Sequence, residues 1–140
     1  MLISEKAWRM EGSKMFIEQG KRVSVLDLLK GIIIQSGNDA TVALAEYVGG
    51  TEDGFVDLMN SYAASMGLSN TLFQNSTGLP DGNHFSSAKD LATMTSLLIN
   101  NFPETYSLYK EKYYTFNNIR QPNRNRLLWK DDSSDGVKTG

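Results

Sequence analysis

Hydrophobic positions recur at helical spacing over four stretches of the chain. After Ser24, residues Val25, Leu28, Leu29 and Ile32 follow the i, i+3, i+4, i+7 rule, and Asp27 stands where a capping-box acid would. Leu26, Ile33 and Ile34 add apolar groups on neighbouring faces, leaving Asp27, Lys30 and Gly31 as a polar strip. A helix that apolar is expected to be buried. Gln35-Ser36-Gly37-Asn38-Asp39 interrupts it, and a second helix is expected from about Ala40 to Tyr47, closed by Gly49-Gly50. Thr51 caps a third, which places Phe55, Leu58, Met59 and Tyr62 on its apolar face and ends at Gly67. Residues 69–86 read as a polar connection with turns at Thr77-Gly78-Leu79-Pro80 and Asp81-Gly82-Asn83. Ser86 or Ser87 opens a fourth helix, which runs to about Asn101 and is stopped by Phe102-Pro103.

The two ends read differently. Lys14 to Glu18 is a candidate strand, and Glu104 to Tyr109 a short helical turn. Tyr113, Thr115, Phe116, Ile119 and Leu127-Leu128-Trp129 look like strand material around turns at Asn117-Asn118 and Gln121-Pro122-Asn123. Gly136 to Gly140 would begin a further strand, so more chain is expected beyond it. The fold class is mainly α with a small β component, and residues 1–140 are treated as one unit.

Charge and composition narrow the chemistry. Fourteen basic against sixteen acidic residues give a net charge of −2, which argues against a broadly basic nucleic-acid surface. Arg120, Arg124, Arg126 and Lys130 with Trp129 imitate a single-strand patch, but Asp131-Asp132 stands beside them, so no nucleic-acid partner is expected. The absence of cysteine removes disulfides, zinc ribbons and thiol nucleophiles. The single histidine, His84, makes a Ser-His-Asp triad or a His-rich metal site improbable and reads as a loop residue, so neither metal nor cofactor is expected. No apolar run approaches membrane-spanning length, and the first residues lack the apolar core of a signal peptide.

Two polar tripeptides stand out. Ser36-Gly37-Asn38 joins two apolar helices, where a hydroxyl and a carboxamide two positions apart can project from one turn towards a substrate amide and a proton shuttle. Taken alone it reads first as a helix–turn–helix corner, with Gly37 near a C-cap and Asn38 or Asp39 as N-cap. Lys138-Thr139-Gly140 offers a cation, a hydroxyl and close backbone approach, which suits a carboxylate. Taken alone it is an ordinary strand start.

In that order, Ser-x-Asn and then Lys-Thr-Gly are the second and third motifs of the penicillin-binding proteins and serine β-lactamases. The text between them, including Gln35-Ser36-Gly37-Asn38-Asp39-Ala40, Tyr106-Ser107-Leu108-Tyr109-Lys110, Asn123-Arg124-Asn125-Arg126-Leu127-Leu128-Trp129 and Asp135-Gly136-Val137-Lys138-Thr139-Gly140, resembles the low-molecular-mass D-alanyl-D-alanine carboxypeptidases. The resemblance implies the helical lobe of a transpeptidase-like α+β fold. It implies an enzyme that removes the terminal D-alanine from peptidoglycan pentapeptides through an acyl-enzyme and is acylated by β-lactams. It also implies a parent protein anchored at the periplasmic face of the bacterial inner membrane. Ser36 and Asn38 would be the catalytic pair, in proton transfer and peptide contact, while Lys138, Thr139, Gly140 and Arg124 would meet the substrate carboxylate. In a bacterial setting the glycosylation-like Asn75-Ser76-Thr77 is idle.

The departure is the nucleophile. That family carries it in a Ser-x-x-Lys motif upstream of Ser-x-Asn, and no such motif precedes Ser36. Ser86-Ser87-Ala88-Lys89 and Ser107-Leu108-Tyr109-Lys110 match the pattern downstream, the first as a helix cap and the second as a family stretch distinct from the nucleophile. The chain is therefore expected to be an internal fragment, inactive alone, with its apolar helix and unpaired end promoting self-association. The competing readings are a class A β-lactamase fragment, which would need a Glu-x-x-x-Asn absent between the motifs, and a non-catalytic helical binding module.

Overall fold

A computed structural model describes all 140 residues as two compact units. The first combines Met1–Leu44 with Glu104–Gly140, and the second is Ala45–Pro103.

The first unit is built around helix α2, Val25–Gln35. Ser24 and Asp27 close its N-terminus as the spacing predicts. The Ser24 hydroxyl accepts the Asp27 N–H at 3.0 Å and donates to its carboxylate at 2.6 Å. The buried stripe holds Leu28, Gly31, Ile33 and Ile34, and it packs against a hairpin of β1, Tyr113–Phe116, and β2, Ile119–Pro122. The strands are antiparallel, with Tyr113 opposite Pro122 and Phe116 opposite Ile119. Tyr114 crosses to α2 and donates its hydroxyl to Asp27 at 2.6 Å. Beneath lies a core of Ile3, Met15, Ile17, Leu28 and Val42. Gly31 is required there, because a Cβ at that position would stand 2.3 Å from the Met15 sulfur.

The second unit contains the C-terminal part of α3, Asn38–Gly49, with α4, Glu52–Ser65, and α5, Ala88–Asn101. Thr51 and Ser87 cap α4 and α5 by accepting the Gly54 and Asp90 N–H groups. The polar connection between them is pinned by side chains. Asn60 clasps the Phe73 backbone in both directions at 2.9 Å, and buried Asp90 accepts from the Asn70 N–H and the Thr71 hydroxyl at 2.8 Å.

Five expectations need correction. Residues 14–18 form no strand, because the N–H groups of Met15, Phe16 and Ile17 all turn to the Asp39 carboxylate. A short helix α1, Glu5–Arg9, capped by Ser4, precedes them and was not foreseen. Residues Arg126–Trp129 are a 3₁₀ turn rather than a strand, because the Asn125 side chain accepts the Leu127 N–H and starts a cap. Gly136 to Gly140 is not a strand either, since a side-chain amide takes up the Gly136 and Val137 carbonyls where a ladder would have been. Helix α2 is not covered all round: Val25 and Leu26 in its first turn are 42% and 54% exposed. A one-turn helix α6, Pro103–Tyr106, and a 3₁₀ turn, Ser107–Lys110, occupy the segment expected to turn helically.

Candidate functional site

Helix α2 ends by reversing direction at Ser36, which adopts φ 57° and ψ 38°. The Ser36 and Gly37 N–H groups both fold back to the Gly31 carbonyl, so the last turn is closed by backbone alone. Left-handed geometry at a C-terminus normally falls to glycine. Here the glycine is one residue later for a different reason: a Cβ on Gly37 would lie 2.9 Å from both the Met15 nitrogen and the Asp39 carboxylate. Ser36 therefore takes the left-handed conformation itself, beside a glycine that packing requires. The Ser36 hydroxyl is half-buried and has no hydrogen-bond partner.

Helix α3 starts at once with Asn38. Its backbone N–H donates to the Ser13 carbonyl and its Nδ2 to the Glu11 carbonyl, both at 2.8 Å. The side-chain oxygen is left without a partner. Asp39, fully buried, accepts from Met15, Phe16 and Ile17 at 2.8, 2.9 and 3.2 Å and from Ala40 at 2.9 Å. This carboxylate clamps the 13–17 segment against the turn. Phe16, 48% exposed, is held at φ 67°, a conformation that a bulky residue keeps only where its surroundings impose it.

The Lys138 segment is held by two buried asparagines. Asn123 donates from its side chain to the Tyr109 and Glu111 carbonyls at 3.1 and 2.9 Å and accepts the Asn125 N–H. Asn125 donates to the Gly136 and Val137 carbonyls at 3.1 and 3.2 Å. Between them, the Arg124 N–H donates to the Ile34 carbonyl at 3.3 Å, two residues before Ser36. Tyr106 supports the far side: it stacks on Tyr109, donates its hydroxyl to Asp135, and lies where a Cβ on Gly136 would be 2.6 Å away. Lys138 is half-buried, its ammonium donating to the Thr139 carbonyl at 2.8 Å, and burial pushes its pKa below the ordinary lysine value. The Arg124 guanidinium is exposed and has no ion-pair partner.

Both tripeptides are thus tied to the 123–125 turn, Ser36 through Ile34 and Lys138 through Asn125, with no direct hydrogen bond between them. The arrangement offers a free hydroxyl, a free amide oxygen, a half-desolvated ammonium and an exposed guanidinium, a set suited to a carboxylate-terminated amide. The two downstream Ser-x-x-Lys matches are engaged elsewhere. Ser86 pairs with Thr71, Ser87 caps α5, and the Ser107 hydroxyl donates to the Glu104 carbonyl at 2.6 Å. His84 accepts the Gln74 N–H at 3.2 Å and meets Phe73 edge-on, as a loop residue. Asp39, Asn123 and Asn125 escaped sequence reasoning; the repeated Asn-x-Asn around Arg124 was the available signal.

The family model for D-alanyl-D-alanine carboxypeptidases (peptidase S11) matches residues 1–140. The chain is 55% identical over 129 residues to D-alanyl-D-alanine carboxypeptidase DacC of Escherichia coli (strain K12), covering 91% of this chain and 32% of that protein. It is 49% identical over 142 residues to DacA of Haemophilus influenzae, covering 99% and 36%. Among solved structures, penicillin binding protein 5 from Haemophilus influenzae aligns with a TM-score of 0.94 at 49% identity, over 99% of this chain and 42% of the other. The carboxypeptidase DacD from Francisella tularensis aligns with a TM-score of 0.94 at 36% identity, over 99% and 46%. The chain spans about a third of the length of these curated relatives.

Proposed function

The chain belongs to the D-alanyl-D-alanine carboxypeptidase family, and from that membership we propose that it carries the proton-transfer and carboxylate-recognition parts of a serine acyl-transfer site. The substrate is the D-alanyl-D-alanine end of a peptidoglycan pentapeptide, and a penicillin takes the same place. Ser36 belongs to the proton network. Asn38, its Nδ2 occupied by Glu11, accepts the substrate peptide N–H on its free oxygen. Lys138, Thr139 and Gly140 receive the terminal carboxylate, and the unpaired Arg124 fork adds to the same positive field. Residues 1–140 are then part of a transpeptidase-like catalytic domain, whose parent works at the periplasmic face of the inner membrane. Without a Ser-x-x-Lys upstream of Ser36, the 140 residues alone form no acyl-enzyme.

The observation that carries this reading is the shared tether: the Arg124 N–H on Ile34 and the Asn125 amide on Gly136 and Val137. The test is a chimera in which these residues replace the matching segment of DacC. Hydrolysis of an N-acylated D-alanyl-D-alanine peptide should persist. Ser36→Ala should lower kcat by about 10²–10⁴-fold, the usual contribution of a positioned proton-transfer group. Lys138→Ala should act mainly on KM. An active chimera indifferent to both substitutions would refute the assignment.

A further inference from the structure

The outer face of the hairpin carries a surface that the proposed site does not use. Tyr113 and Thr115 point outward with their partners Pro122 and Arg120, while Tyr114, Phe116 and Gln121 turn inward. Arg120 lies over the Tyr113 ring, its guanidinium carbon 4.0 Å from the centroid. Tyr113 in turn meets Trp129 edge-to-face at 5.7 Å. Trp129 closes a 3₁₀ turn that begins at Arg126, and side chains three apart eclipse in that geometry, so Arg126 stands on the Trp129 side. The result is a strip of Arg126, Trp129, Tyr113 and Arg120, in which the two aromatic residues are each at least 40% exposed.

Its cations are unpaired. Arg120, Arg126 and the nearby Lys112 and Lys130 are exposed and form no ion pair. The neighbouring acids are engaged internally. Glu111 pairs with Lys30 at 3.1 Å, Asp131 accepts from the Ser133 N–H and hydroxyl, and Asp135 accepts from Tyr106. Asp132 has no partner, and the Asp131 and Asp135 carboxylates keep their charge while accepting from these neutral donors, so the strip offers unpaired guanidinium forks beside exposed rings rather than a one-sign basic field.

Ordered ring faces alternating with guanidinium forks suit an extended anionic chain that has flat amide or sugar faces between its carboxylates. We propose that this strip is a second binding surface for the substrate polymer, holding a peptidoglycan strand by its stem-peptide carboxylates away from the scissile end. The inference rests on the peptidoglycan reading above. It separates polymer retention from recognition of the D-alanyl-D-alanine terminus.

Co-sedimentation of the chain with purified peptidoglycan, before and after its carboxyl groups are blocked by amidation, provides the test. Binding should be salt-sensitive and should fall on amidation. Arg120→Glu with Arg126→Glu should weaken it by about tenfold or more, the scale of losing two charge-assisted contacts. Peptidoglycan trimmed of its terminal D-alanine should bind as well as untrimmed polymer. In parallel, the NMR shifts that an N-acylated D-alanyl-D-alanine peptide induces at Ser36 and Lys138 should be unchanged in the double variant. No binding to the polymer, equal binding by the double variant, or tighter binding to phosphatidylglycerol vesicles or single-stranded DNA would overturn the proposal. Loss of the peptide-induced shifts in the unsubstituted chain would instead strike the underlying peptidoglycan reading.

Discussion

Asp39 is the residue on which the Ser36–Asn38 turn most depends, and its replacement gives a graded test. The carboxylate is fully buried and accepts four backbone N–H groups, Met15 and Ala40 on one oxygen, Phe16 and Ile17 on the other. Asp39→Ala leaves all four donors unsatisfied. At about 1 kcal/mol for each orphaned buried donor, the loss is about 4 kcal/mol, a large share of a domain's typical 5–15 kcal/mol. Asp39→Asn keeps one accepting oxygen and turns an NH₂ towards the other two donors, so its cost should be about half that, about 2 kcal/mol. Urea unfolding followed by circular dichroism should order the proteins wild type, Asn, Ala, with slopes unchanged if the native fold persists. Hydrogen exchange at Met15 and Ile17 should accelerate in the same order. If Asn matched wild type, or Ala were no worse than Asn, the four-bond clamp would not be what holds the 13–17 segment.

Further outcomes follow from single contacts. Gly31→Ala should destabilise by about 1–3 kcal/mol through overpacking against the Met15 sulfur, despite alanine's better helix propensity, and the loss should shrink in a Met15→Ala background, as measured by denaturation of the double-mutant cycle. The Ser24 hydroxyl first and the Tyr114 hydroxyl second hold the Asp27 carboxyl below its ordinary 3.8, so its contribution is present above 3.8 and lost as pH falls through the lower folded value. Tyr114→Phe should move the Asp27 carboxyl titration upward by NMR and reduce the stability lost over that acidic window. Burial lowers the Lys138 pKa below 10.5, so folding disfavours its protonated form and stability gains as pH rises from the folded value towards 10.5. A bound carboxylate reverses that shift, so ligand binding at alkaline pH should take up protons, detectable by calorimetry in buffers of different ionisation enthalpy.

The helices were legible because their signals are local. Ser24, Thr51 and Ser87 act as caps within three residues of their targets, and the apolar spacing of α2, α4 and α5 needs no partner to be recognised. The strand expectations failed where a distant polar side chain took the backbone instead. Asp39 reaches back over twenty positions to residues 15–17, and Asn125 forward to 136 and 137, and neither reach leaves a periodic trace. Helix α1 was hidden by its length, too short for periodicity. The tripeptides Ser36-Gly37-Asn38 and Lys138-Thr139-Gly140 were readable as text, and their ties to the 123–125 turn were not.

Ser36, Asn38 and Lys138–Gly140 are proposed to recognise a D-alanyl-D-alanine terminus together. Titration of the ¹⁵N-labelled chain with an N-acylated D-alanyl-D-alanine peptide, and with its C-terminal amide as control, tests this most directly. Saturable shifts confined to the Ser36–Asn38 turn, Arg124 and Lys138–Gly140, lost with the amide, are predicted. Shifts that ignore the carboxylate, or that fall elsewhere while these residues stay silent, would contradict it.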